Sequence, residues 1–151
     1  MRSAGIMVSQ LDIAQPAFHL TNTINSIIED GTDLDIIVYY QNWAKFPSNP
    51  RFALLMEREV WGSRCPVIAT NVKLAEMLLK CPGPTKKFFY VWDFEWLRYG
   101  DYERMSQLYT NPNIELIARS EHHADVLEKV WKKPAFVMDD WNKEKLLEIL
   151  T

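Results

Sequence analysis

Residues 87–98 read Lys-Phe-Phe-Tyr-Val-Trp-Asp-Phe-Glu-Trp-Leu-Arg, which sets two carboxylates, Asp93 and Glu95, behind an apolar aromatic run. A carboxylate walled by Trp92, Phe94 and Trp96 would lose part of its hydration, and desolvation raises an acid's pKa toward the range where a general base works. Indole faces also offer stacking surfaces for a sugar or a base. The same residues have a plainer reading. Asp93 then caps a turn or pairs with Arg98, and the aromatics fill a loop cluster or an interface.

Other polar residues follow other apolar runs. Ser9, Gln10 and Asp12 come after the first, Gln41, Asn42 and Trp43 after the second, and Thr70 and Asn71 after the third. Arg119, Ser120, Glu121 and His122 follow the run at 114–118. No GxGxxG, GxxxxGK[ST] or GxSxG motif occurs, and the chain has only five glycines. Backbone-cradled phosphate binding and a nucleophile elbow are therefore not expected, and neither is a cofactor. His19, His122 and His123 do not form a metal set, since neighbours at i and i+1 on a helix point in different directions.

These groups need elements to position them. Gly5-Ile6-Met7-Val8-Ser9, Asp35-Ile36-Ile37-Val38-Tyr39-Tyr40, Pro66-Val67-Ile68-Ala69-Thr70, Phe88-Phe89-Tyr90-Val91-Trp92 and Ile114-Glu115-Leu116-Ile117-Ala118 read as strands. Ala135-Phe136-Val137-Met138 reads as a last strand. Helical spacing links them: from Pro16 to Asp30-Gly31, over 51–61, after a cap at Thr70 or Asn71, over 102–109, from a Ser120 cap through Trp131, and over 142–150. Continuous apolar strands alternating with helices predict one α/β domain: a Rossmann-like, mostly parallel, doubly wound sheet of five or six strands with helices on both faces. Ligands of such sheets bind beyond the carboxyl ends of the strands.

The bulk properties narrow the classes. The chain has 151 residues, 48% hydrophobic and 25% charged, enough for a packed core in one domain. A net charge of −3 gives no basic field for nucleic acid. Cys65 and Cys81 are too far apart for a CxxC pair and are expected to be reduced. No apolar run approaches a membrane span or a signal segment, so the cytoplasm is the expected location.

With these segments in view, the chain resembles the N-terminal half of GT-B glycosyltransferases, in particular small phage-encoded proteins of the T-even phage DNA β-glucosyltransferase type. Residues 87–98 resemble the strand-then-aspartate segment of that type, which implies a catalytic-base role for Asp93. Residues 114–142, with Asp139-Asp140-Trp141-Asn142 in place of an NGVD-like turn, resemble the passage that ends many GT-B N-terminal domains. The resemblance implies an acceptor side built from Gln10, Asp12, Asn42, Trp43, Trp92, Glu95, Trp96, Arg98 and Ser120. It also implies a sugar acceptor, a nucleotide-sugar donor, and a second chain or domain that holds the donor. For a phage protein the implied location is the host cytoplasm. The competing expectation is a non-catalytic binding or assembly module that uses the aromatic strand-end surface on a protein partner, with self-association permitted.

Overall fold

A computed structural model describes residues 2–9, 15–42 and 51–151, with side chains in the first helix from residue 19 onward. The element order is β1 (Arg2–Val8), α1 (Gln15–Glu29), β2 (Leu34–Tyr40), β3 (Ala53–Met56), a 3-10 helix (Glu57–Gly62), β4 (Val67–Ala69) and α2 (Val72–Lys80). There follow β5 (Lys87–Val91), a second 3-10 helix (Glu95–Leu97), α3 (Tyr102–Tyr109), β6 (Glu115–Ala118), α4 (Glu121–Val130), β7 (Phe136–Val137) and α5 (Lys143–Leu150).

The strands form one seven-stranded sheet in the order β3-β2-β1-β4-β5-β6-β7. Every pair is parallel. The order runs outward from β1 in one direction and then from β4 in the other, which is the doubly wound pattern with its switch point between β1 and β4. Alternate residues of each strand feed two cores. Ile6, Ile36, Val38, Phe88, Tyr90 and Ile117 meet α1 and α5 on one face. Met7, Val67, Phe89, Val91 and Leu116 meet α2, α3 and α4 on the other. Burial on both faces explains why the strands read as unbroken apolar runs.

The sequence supplies the punctuation. Asn71, Ser120 and Asn142 each cap a helix by accepting the backbone N–H three residues on. Gly31 ends α1 with φ +70°, a conformation that costs glycine little. A Cβ on Gly5 would stand 2.8 Å from the Tyr39 ring, so β1 needs glycine there for Tyr39 to lie across it.

Two expectations change. Among the described residues the sheet has seven strands rather than five or six, because residues 51–61 are not one helix but β3 followed by the first 3-10 helix. Ala, Leu and Met are good helix formers, but the preference is worth only a fraction of a kcal/mol per residue, and pairing of Ala53–Met56 with Ile37–Tyr40 at the sheet edge overrides it. Among the described residues no helix is long and apolar enough to cross a membrane.

Candidate functional site

Strand β5 buries Phe88, Phe89, Tyr90 and Val91 completely or nearly so and then releases the chain at the carboxyl edge of the sheet. The 3-10 turn that follows sorts the next residues by face. Trp92 is half-buried against the α1 and α5 side, edge-on to Tyr90 at 5.5 Å. The Arg119 guanidinium lies over its ring, 4.9 Å from the centroid. Trp96 belongs to the opposite side and packs on Tyr109 and Trp131 at 5.1 and 6.0 Å. Phe94 bridges Trp96 and His123 at 4.8 and 4.6 Å. The two tryptophans therefore flank the carboxylates from opposite faces and do not wall one side together.

Asp93 stands exposed between them. The burial expected at Asp93 falls on Glu95, because the 3-10 helix turns Glu95 back over the first turn of α2. One Glu95 oxygen, Oε2, accepts the Val72 N–H at 3.4 Å. Burial raises the Glu95 carboxyl above its ordinary value, and the neighbouring Asp93 charge adds to that rise. The Val72 N–H and the Arg98 guanidinium oppose it. Among the described residues no ion pair joins Asp93 to Arg98, so the plainer pairing read from the sequence is not formed. Arg98 is exposed and closes the 3-10 helix with its own N–H on the Glu95 carbonyl at 2.9 Å.

The remaining expected residues divide clearly. Gln10, Asp12 and Trp43 lie outside the described residues. Asn42 is exposed beyond the end of β2. Strands β1 and β4 separate β2 from β5, so three interstrand steps, roughly 14 Å, keep Asn42 from Asp93. Ser120 spends its hydroxyl oxygen as the α4 cap, accepting the His123 N–H at 3.1 Å.

Sequence reasoning missed Tyr109. It is fully buried on α3, its hydroxyl has no hydrogen-bond partner among the described residues, and its pKa is raised first by burial and then by the Glu95 charge. His123 Nδ1 and Trp131 Nε1, in the same aromatic cluster, are likewise buried without a partner among the described residues. Burial lowers the His123 pKa, aided by Arg119 and His122. No signal in the sequence joins residues 95, 109, 123 and 131, because tertiary packing alone brings them together.

A cavity of about 920 Å³ opens at the other end of the sheet, lined by Arg2, Tyr39, Glu59, Arg64 and Cys65 among others. None of its lining residues belongs to the segment after β5. No protein-family model matches the chain, and no curated protein matches it in sequence.

Proposed function

We propose that the chain is a glycosyltransferase-like domain that offers a carboxylate to an acceptor sugar and depends on a second domain or chain for the nucleotide-sugar donor. One juxtaposition carries the reading. An exposed Asp93 and a half-buried Glu95 sit between two indole rings at the carboxyl edge of a doubly wound sheet. Flat apolar rings beside hydrogen-bonding carboxylates suit a hydroxyl-rich ring with apolar faces, and the edge is where such sheets take ligands. Asp93 is the residue that the GT-B resemblance matches to the catalytic base.

A second reading, a non-catalytic assembly module, has its own support. Leu97 is 74% exposed and Tyr102 is 73% exposed in and just after the same segment, apolar surface that a protein partner would cover. On the first reading that partner is the donor-binding chain itself.

Titration calorimetry with glucose, UDP-glucose and GDP-mannose tests the proposal, with Asp93→Asn as control. Free glucose should bind weakly, and the nucleotide sugars should bind no tighter than glucose. Micromolar affinity for either nucleotide sugar would make the chain a self-sufficient transferase and overturn the divided-site reading.

A further inference from the structure

The segment after β5 offers two carboxylates, and the proposed function needs one of them to take a proton. We infer that Glu95, rather than Asp93, accepts the hydrogen bond of a bound sugar hydroxyl, with the first turn of α2 holding it in place. The inference rests on the sugar-binding reading of this edge.

The geometry separates the two carboxylates. Asp93 is exposed and, among the described residues, has no hydrogen bond or ion pair that would fix its direction. Glu95 is half-buried, carried on a 3-10 helix that fixes its backbone, and anchored through Oε2 to the Val72 N–H. Its other oxygen, Oε1, has no hydrogen-bond partner among the described residues. One oxygen is thus tethered and the other is available, the arrangement a positioned acceptor requires. The tether is long for a hydrogen bond at 3.4 Å; it orients Glu95 and opposes the rise that burial causes without cancelling it.

The surroundings favour the same residue. Groups facing Glu95 are Asp93 and Arg98 on its own segment, the Val72 N–H on α2, and Tyr109 on α3. Tyr99 acts electrostatically on Tyr109, and His123 on α4 stacks against Phe94 and feels Asp93. Burial makes the Glu95 carboxylate more basic than a hydrated one, and Asp93 adds to this as a nearby like charge. Tyr109 adds a buried hydroxyl without a partner among the described residues, close enough to feel the Glu95 charge. In transfer, the acceptor O–H bond breaks and its proton passes to Glu95. The freed electron pair of the oxygen forms the bond to the anomeric carbon of the nucleotide sugar. The nucleoside diphosphate leaves with the electron pair of the old anomeric C–O bond.

The test needs no turnover. The affinity of the full chain for methyl β-glucoside is measured by NMR from acid to neutral pH, for wild type, Glu95→Gln and Asp93→Asn. Carbon-13 signals of the Glu95 and Asp93 carboxyls are followed in the same samples. Wild type should bind about tenfold more weakly once the acceptor carboxylate is protonated, the scale of a lost charge-assisted hydrogen bond. Glu95→Gln should bind weakly at every pH, whereas Asp93→Asn should keep the pH dependence. Because the ionised form binds, the glucoside should move the Glu95 titration to lower pH. Binding that loses its pH dependence in Asp93→Asn and keeps it in Glu95→Gln would overturn the inference and leave sugar binding intact. So would a glucoside that leaves the Glu95 titration unmoved. Absence of binding in wild type at every pH would overturn the sugar-binding reading and the inference together.

Discussion

Two buried tyrosines, Tyr90 and Tyr109, sit on opposite faces of the sheet, and their hydroxyls fare differently. Tyr90, under α1 and α5, donates its hydroxyl to the Met138 carbonyl and packs on Trp141 with centroids 4.8 Å apart. Trp141 is buried although its φ is +57°, and its carbonyl accepts the Thr23 hydroxyl at 3.0 Å. Tyr109, under the segment after β5, is just as buried and its hydroxyl makes no hydrogen bond among the described residues, and neither does Nε1 of Trp131, which stacks on it, nor His123 Nδ1. Buried polar atoms are nearly always paired, and unpaired ones gather where function competes with stability. The α1 and α5 face is built for stability. The opposite face carries polar groups unmet among the described residues, Tyr109 among them within reach of the Glu95 charge.

The sharpest way to break this contrast is to truncate a ring on each face. Trp141→Ala removes a fully packed ring and should cost about 3–5 kcal/mol in denaturant unfolding. Trp131 is half-buried and its indole N–H is unpaired among the described residues, so Trp131→Ala should cost clearly less. Equal losses would mean that the two faces are packed to the same standard.

A smaller effect of opposite sign comes from the hydroxyls. Tyr90→Phe breaks a buried bond to the Met138 carbonyl and should destabilise by about 1–2 kcal/mol. Tyr109→Phe removes a buried hydroxyl without a partner and should be neutral or stabilising by about 1 kcal/mol. Thermal midpoints of the two variants, measured side by side, check the sign. A destabilised Tyr109→Phe would show that its hydroxyl is satisfied after all.

The smallest effect is the pH dependence of stability at Glu95. Its carboxyl is raised from the ordinary 4.5 in the fold, so the folded chain holds that proton more tightly than the unfolded chain. The sign follows directly. Stability from this group is full below the ordinary value and is lost as pH rises through the raised one. Glu95→Gln removes that loss, so the difference in urea midpoint between wild type and variant should move in favour of the variant as pH rises from acid to neutral. A difference that does not change with pH would place Glu95 in water.

Much of this architecture was legible in the chain. Apolar runs marked β1, β2, β4, β5 and β6, residues 102–109 matched α3, and the caps at Asn71 and Ser120 were visible as residue types. Residues 51–61 misled because their helix formers pair as an edge strand, an effect of partner β2 that no local pattern encodes. The site was legible only as a segment. Whether Asp93 or Glu95 is buried depends on a short 3-10 turn and on contact with Val72, 23 residues away. Alternation along the strand cannot be extended through such a turn.

We propose that ligand chemistry belongs to the carboxyl edge after β5 and not to the cavity of about 920 Å³ at the other end. The six tryptophans allow one direct measurement, because each indole N–H gives its own signal in a nitrogen–proton correlation spectrum. Glucose added to the labelled chain should shift Trp92 and Trp96, which flank Asp93 and Glu95. Trp61, which shares the first 3-10 helix with the cavity residues Glu59 and Gly62, should stay in place. Shifts at Trp61 with Trp92 and Trp96 unmoved would contradict the account.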